Sequence, residues 1–123
     1  MNRKTLKMIE AIKGLKELKK IDPSGEVVST VYIGVRGSNV TSFPAVFIGM
    51  IGSNVINTLG RRSYEINRYK IDCMAKTYSE AECIREAVIR VLKRSGLSVR
   101  LKGVSDLYSE EFSSYHRIQE VVI

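Results

Sequence analysis

The chain has 123 residues, of which 44% are hydrophobic and 27% charged, a composition that excludes disordered, collagen-like and membrane-spanning classes. A chain of this length builds one hydrophobic core, so we predict a single domain over residues 1–123. Lys and Arg total 20 against 13 Asp and Glu, a net charge of +7. This excess suits nucleic acid, an acidic membrane surface or an acidic protein partner, and its sign alone does not choose among them.

Two cysteines, Cys73 and Cys83, are too few for a disulfide framework and are typical of a reducing compartment. Lysines interrupt the apolar residues near the N-terminus, and the chain has no apolar run long enough to span a bilayer. We therefore predict synthesis in the cytoplasm and no membrane partner.

The first segment has apolar residues at helical spacing. Met8, Ile12, Leu15 and Leu18 recur every third or fourth residue, with lysines between them. Pro23 disfavours helical geometry at the residue before it. The pattern predicts a basic amphipathic helix over residues 1–21.

Three strand-like segments follow. The β-branched run "VVSTVYIGV" from Val27 predicts one strand, and the apolar run "AVFIGMIG" from Ala45 predicts a strand covered on both faces. The polar segment Ser53 to Arg62 is either a loop or the arm of a long hairpin. The next segment alternates but changes parity, so we predict a β-bulge near Asn67 or Arg68.

A second helix is expected after Thr77. Thr77 with Glu80, or Ser79 with Glu82, makes a capping box, and Gly96 suits the position just past the helix. A half-buried strand beginning with Leu97 and the strand "YHRIQEVVI" complete the order α-β-β-β-α-β-β. The pattern predicts an α+β domain, with a mostly antiparallel sheet and the second helix formed by residues 27–123.

Residues able to do chemistry are sparse. A single His116 has no second histidine or CxxC pair beside it, so we predict no metal site and no cofactor. Cys73 or a serine would need His116 as a base, and the sequence does not bring them together. We predict no catalytic residue and no enzyme.

The order α-β-β-β-α is also that of double-stranded-RNA-binding domains, which with the basic charge makes a nucleic-acid-binding module the alternative prediction. Such domains need lysines where the second helix begins, to reach the phosphates. Here that helix begins "TYSEAE", which is acidic. The prediction of RNA binding is weakened for that reason.

The segment "YKIDCMAKTYSEAECIREAVIRVL" resembles the tail-completion or tail-terminator family of long-tailed bacteriophages and prophages. That family has an Asp-x-aromatic-Ala strand end followed by a "KTYxEA" helix start, with Met74 here replacing the aromatic. "FPAVFI" and "DLYSEEFSSYHRIQEVVI" are similar to the family's Pro-led strand and final strands. The matching positions are Asp72, Ala75, Lys76, Thr77, Tyr78, Glu80 and Ala81.

The resemblance implies a structural virion protein made in the bacterial host cytoplasm. Its members form a ring, expected to be a homohexamer, that caps the head-proximal end of the tail tube. The implied partners are other copies of the chain, the tail tube protein and a neck or head-completion protein. Genome DNA would pass through the ring without specific binding.

A ring of this kind needs two different patches per subunit. We take the polar segment as one candidate interface and the basic first helix as a second, which would face an acidic partner. The candidate interface residues are Asn54, Asn57, Arg61 and Arg62, together with Lys16, Lys19 and Lys20.

Overall fold

A five-stranded sheet with two helices against one face makes up the body of the protein, an α+β arrangement. The computed structural model describes residues 3–21, 24–25, 27–34, 44–57, 63–110 and 113–123. The helices are α1 (Arg3–Lys13) and α2 (Tyr78–Arg94), with a 3-10 turn at Lys16–Leu18. The strands are β1 (Lys19–Ile21), β2 (Val27–Ser29), β3 (Val31–Ile33), β4 (Ala45–Asn57), β5 (Ser63–Ala75), β6 (Arg100–Ser109) and β7 (Ser114–Val122).

The main sheet has the order β3-β4-β5-β7-β6, and all its pairs are antiparallel except β3 with β4. The strands β1 and β2 form a separate two-stranded antiparallel sheet. The predicted fold class is therefore confirmed, and the apolar run from Ala45 is an interior strand between β3 and β5. The prediction that it is covered on both faces holds only for its first half, since Ala45, Val46 and Ile48 are buried whereas Met50 and Ile51 are 54% and 46% exposed.

The core lies between the helices and one face of the sheet. Met8 and Ile12 of α1 and Ile84, Val88 and Leu92 of α2 are buried here. The sheet contributes Ile48, Ile71, Cys73 and Val121 to the same cluster. We call this side of the sheet the helix side and the opposite side the open face, where Ala45 and Met74 form a smaller buried cluster.

The first helix is shorter than predicted. It ends at Lys13, and residues up to Ile21 form a turn, the 3-10 turn and β1 instead. Gly14 follows the last helical residue and has a high helix cost, while Leu15 is extended with φ −69° and ψ 130°. Leu18 still reaches the core, because the 3-10 turn keeps it on the buried side.

The predicted single strand from Val27 is divided into β2 and β3, which belong to different sheets. The break is at Thr30, whose N–H and hydroxyl both donate to the carbonyl of Leu18, at 2.7 and 2.9 Å. The carbonyl of Thr30 accepts from the N–H of Val46 at 3.0 Å. Thr30 therefore joins the two sheets, and a propensity pattern cannot reveal such a change of partner.

The strands β4 and β5 form a long hairpin, one of the two alternatives for the polar segment. The register skips between Met50 and Gly52 on β4, so Ile51 is an extra residue opposite the step from Arg68 to Tyr69. The predicted β-bulge is thus on the partner strand, and β5 itself is paired without interruption from Ser63 to Met74. The prediction that β5 carries the bulge is wrong.

The second helix begins as predicted. The Thr77 hydroxyl accepts from the N–H of Glu80 at 3.2 Å, and Gly96 has φ +80° just beyond the helix. The strand after it differs from the prediction, since β6 begins at Arg100 and is exposed throughout from Arg100 to Tyr108. Leu97 and Val99, which suggested a half-buried strand, lie before β6 and pack against the core.

Candidate interaction surfaces

A hydrogen-bonded chain of three side chains lies on the open face. His116 Nδ1 lies 2.9 and 3.0 Å from the carboxylate oxygens of Asp72, and His116 Nε2 lies 3.1 Å from the Ser114 hydroxyl. Strand pairing produces this contact, because β5 and β7 place Met74 opposite His116 and Asp72 opposite Ile118. The order carboxylate, imidazole and hydroxyl is that of a hydrolytic triad.

The burial of Ser114 determines whether these three side chains can act on a substrate. Ser114 has no exposed surface, so its hydroxyl cannot contact the carbonyl carbon of a substrate. Cys73 is directly opposite Arg117 and faces the helix side, away from His116. Burial raises the pKa of the Cys73 thiol well above its usual range, and the neighbouring Asp72 adds to this rise. The contact of Asp72 with His116 therefore fastens β5 to β7.

Within the described parts of the chain, no three His, Cys, Asp or Glu side chains come together in a way that could hold a metal ion. None of the helices there is both long and apolar enough to cross a bilayer.

On the helix side, Arg117 of β7 connects α2 with β6. Its Nη1 donates to both carboxylate oxygens of Asp106, at 2.7 and 2.8 Å, and its Nε donates to Glu82. Arg85 also donates to Glu82, at 2.5 and 3.0 Å, and to the Gln119 side chain at 3.1 Å. The network ties the edge strand to the helix layer through charge-assisted hydrogen bonds.

The charged groups in this network shift one another's pKa values. Hydrogen bonds from Arg85, and then from Arg117, outweigh the opposing effect of burial and lower the pKa of Glu82 from 4.5 to about 2. The carboxylates of Asp106 and then Glu82 raise the pKa of Arg117 above its usual range. Glu82 is therefore ionised at neutral pH, where its carboxylate binds Arg85 and Arg117.

Three tyrosines beside this network form a surface that we call the tyrosine patch: Tyr78, Tyr108 and Tyr115. The rings of Tyr78 and Tyr115 meet edge to face at 6.5 Å, and those of Tyr108 and Tyr115 lie 4.8 Å apart. The Arg117 guanidinium lies 5.5 Å from the centre of the Tyr78 ring. The three tyrosines remain 46%, 48% and 38% exposed, so an aromatic surface is held in place but uncovered.

The strand β6 lies at the edge of the sheet and contributes Tyr108 to this patch. Leu101, Val104 and Leu107 on it are 41%, 41% and 56% exposed. Edge strands of monomeric proteins are usually shortened, covered or charged. This one is ten residues long, carries the charged residues Arg100, Lys102 and Asp106, and has a register shift between Leu101 and Val104.

At the opposite end of the sheet the hairpin extends beyond its neighbours. The partner strand β7 ends its pairing at Arg68 with Val122, and the N–H and carbonyl of Asn67 bond to Ile123. Beyond this point β4 and β5 pair only with each other, over Asn54–Asn57 and Ser63–Ile66 in the described part. We call this two-stranded segment the arm.

A basic groove lies between the C-terminal half of α2 and the start of β6. Its volume is about 520 Å³, and its walls are formed by four basic residues, Arg85, Arg90, Lys93 and Arg94, together with Glu86, Ile89 and Leu101. Lysine and arginine at the end of a helix offset its dipole, which explains part of this charge.

The predicted interface residues are divided by the structure between two distant places. Asn54 and Asn57 lie on the arm, where their side chains are outside the described part, and Arg61 and Arg62 fall wholly outside the described residues. Lys16 is exposed on the 3-10 turn and Lys19 on β1, while only the backbone of Lys20 is described. These lysines lie near the start of β4, and the arm lies at its end, about 35 Å away along a strand.

The tyrosine patch and Arg117 were not among the predicted interface residues. Their signal in the sequence is weak, because Tyr78 belongs to the capped helix start and Tyr108 and Tyr115 lie on either side of a turn. Only the antiparallel pairing of Tyr108 with Tyr115, and the return of α2 over β7, bring them together.

No protein-family model matches this chain, and no curated protein matches it. The resemblance to tail-terminator proteins therefore remains a prediction made from the residues quoted above.

Proposed function

We propose that the protein is a ring-forming tail-completion protein of a long-tailed bacteriophage, located in the virion at the junction of tail and neck. The observation that carries this proposal is the arm. An isolated two-stranded hairpin is only marginally stable in water, and three or more strands are usually needed. A chain that extends such a hairpin from its sheet is suited to contact a neighbouring subunit.

The residues that carry the resemblance act in the fold as scaffold. Ala75 and Ala81 are buried, Thr77 caps α2, and Asp72 holds His116. A family defined by a ring needs such a rigid junction in every subunit, since the subunit's shape sets the ring's geometry. The resemblance thus concerns mainly residues that position the interfaces, while Tyr78, which is 46% exposed, also belongs to the tyrosine patch.

The proposed partners are further copies of the chain, the tail tube protein on one side of the ring and a neck protein on the other. The expected assembly is a homohexamer through which DNA passes without specific contacts. The exposed edge strand β6, Met50 at the base of the arm (54% exposed) and Val55 within the arm (65% exposed) provide surface for these contacts.

The basic groove supports a second candidate function, nucleic-acid binding, because Arg90, Lys93 and Arg94 form a cationic ridge. The partly exposed Glu80 at the start of α2 opposes it, since that is where the RNA-binding domains need lysines.

The state of assembly separates the two candidates. We expect native mass spectrometry and negative-stain electron microscopy of the purified protein to give a closed ring, whose mass is that of several chains. A protein that stays monomeric and binds double-stranded RNA with a steep salt dependence would instead establish the nucleic-acid function.

A charge-reversal variant tests the arm within this proposal. Arg61→Glu together with Arg62→Glu is expected to reduce ring formation while leaving the circular dichroism spectrum and thermal midpoint unchanged. Lys70→Glu, an exposed lysine of β5 that is outside both candidate interfaces, is the control and should leave assembly intact. Normal assembly of the arm variant would remove these two arginines from the interface.

A further inference from the structure

Two exposed surfaces with apolar residues, among those that the structure describes, lie at opposite ends of the sheet. The tyrosine patch is beside the end where β5 finishes and α2 begins, since Tyr78 contacts Tyr115 and Tyr115 pairs with Ala75. The arm leaves from the other end, beyond Arg68 and Val122. A contact between unlike ends is heterologous, and it can continue from one copy to the next.

Met50 at the base of the arm and Val55 within the arm are exposed apolar residues that share one face. Met50 is opposite Tyr69 and Val55 is opposite Glu65, and residues 65 and 69 have the same parity on the uninterrupted strand β5. In a regular strand Met50 and Val55 would face opposite sides, because they are five residues apart. The extra residue Ile51 brings them to the same side, and it is itself 46% exposed.

The tyrosine patch has the properties of a protein-binding surface. Tyrosines bury a large area at a low cost in side-chain entropy and are enriched where proteins bind each other. Here the ring contacts and the Arg117 guanidinium hold the three rings in place before any partner arrives. Preorganisation of this kind reduces the free-energy cost of association.

The charged residues of α2 and of β6 are distributed in the same direction, with basic residues toward the arm and acidic residues toward the tyrosine patch. On α2 the half beside the tyrosine patch has Glu80, Glu82 and Glu86 against one Arg85, and the other half has Arg90, Lys93 and Arg94. The strand β6 runs the other way, with Arg100 and Lys102 near the arm and Asp106, which is paired with Arg117, near the patch. Exposed Arg68, at the base of the arm, adds to the basic end.

We propose that the tyrosine patch of one copy receives the arm of a second copy in a head-to-tail contact. This arrangement covers Met50, Ile51 and Val55 with aromatic surface and brings a basic end to an acidic one. A symmetric contact of patch with patch would oppose acidic groups, and a contact of arm with arm would oppose basic groups. The inference rests on the proposed ring and specifies which surfaces build it.

Complementary defects test this contact. Val55→Asp disables the arm and leaves the patch intact, whereas Tyr108→Asp disables the patch and leaves the arm intact. We expect each variant alone to lose the ring and sediment as a monomer. An equal mixture should form a dimer of one of each, because one intact arm meets one intact patch.

Cross-linking provides a second measurement that does not depend on the affinity of a single contact. In a Cys83→Ser background, a chain carrying both Val55→Cys and Tyr108→Cys should give a ladder of covalent multimers with a short bismaleimide. Either single cysteine should give none. Leu6→Cys with Tyr108→Cys is the matched control, since Leu6 is 46% exposed on α1, and it should give no ladder.

The results separate this inference from the proposed function. If wild-type protein forms rings but the two variants do also, or their mixture gives no dimer and the double-cysteine chain no ladder, the arm-to-patch contact is wrong and the ring stands. If the wild-type protein is monomeric, the ring itself is wrong. Circular dichroism of each variant must match the wild type, which excludes unfolding as the cause.

Discussion

The guanidinium of Arg117 on β7 donates hydrogen bonds to both carboxylate oxygens of Asp106 on the neighbouring strand β6, at 2.7 and 2.8 Å. The same side chain bonds Glu82 of α2, so one residue of β7 holds the exposed strand β6 and the helix in a fixed relation. Its position also places the guanidinium against the Tyr78 ring. The edge strand and the tyrosine patch therefore depend on a common residue.

Replacing Arg117 should loosen both features. We expect Arg117→Met to lower the free energy of unfolding by about 1–3 kcal/mol, since Asp106 and Glu82 each lose a charged partner. Hydrogen exchange should accelerate most in residues 100–109. Arg90→Met, an exposed arginine on α2, is the control and should change stability by less than about 0.5 kcal/mol. Equal losses for both variants would contradict the linking role of Arg117.

The pKa of Glu82 predicts an acid-sensitive contribution to stability. Because its pKa falls from 4.5 to about 2 on folding, its contribution is complete above pH 4.5 and is lost as pH falls toward 2. Glu82→Gln should therefore cost on the order of 2 kcal/mol at neutral pH and progressively less below pH 4.5. Urea unfolding at several pH values measures this difference. A pH-independent difference between the two proteins would contradict the assignment.

Loss of the N-cap of α2 should lower the stability of the protein without affecting its assembly. Thr77→Ala removes the acceptor for the Glu80 N–H and is expected to cost about 1 kcal/mol, while Thr77→Ser should restore most of it. Thermal unfolding gives the comparison. Both variants should still form the assembly of the wild type, and loss of assembly in the Ala variant at a temperature where it is folded would assign Thr77 a further role.

The two thiols should differ in reactivity. Cys83 is exposed on α2, while Cys73 is buried and has a pKa raised by burial and by Asp72. A disulfide reagent at pH 8 should therefore modify one thiol per folded chain and both in denaturant. Cys83→Ser should abolish the reaction of the folded protein. Rapid modification of that variant would show that Cys73 becomes exposed.

Asn67 offers a stability gain at the base of the arm. Its side chain is buried, and among the described residues neither its Oδ1 nor its Nδ2 has a hydrogen-bond partner. Burying an unpaired amide is unfavourable, so Asn67→Leu is expected to raise the free energy of unfolding by about 1 kcal/mol. Asn67→Ala should lower it, because it leaves a cavity. A loss in the Leu variant would reveal a polar partner for the amide.

Much of the fold follows from local patterns in the sequence. The capping box at Thr77, the Gly96 helix end and the apolar run from Ala45 each predicted their element correctly. The errors occur where tertiary partners override local preference, as at Thr30, which divides one predicted strand between two sheets. The apolar residues of β5 change from even to odd positions near Asn67, and this change was interpreted as a bulge in β5. It marks instead where β7 stops pairing with β5 and the arm begins.

The surfaces were less predictable than the fold. The polar composition of Ser53 to Arg62 indicated the arm, and the lysines indicated a basic region. The tyrosine patch joins residues from α2, β6 and β7, and nothing local to Tyr78 or Tyr108 predicts their meeting. The network of Arg117 has the same origin, since its partners come from 11 and 35 residues away.

The extra residue Ile51 has a consequence for how the arm can change in related proteins. Because side chains alternate along a strand, gaining or losing one residue between Ile51 and Val55 would turn Val55 away from its present side. Gaining or losing two residues there would only alter the length of the hairpin. Length differences between these two positions, among relatives that keep the same contact, are therefore expected in steps of two residues.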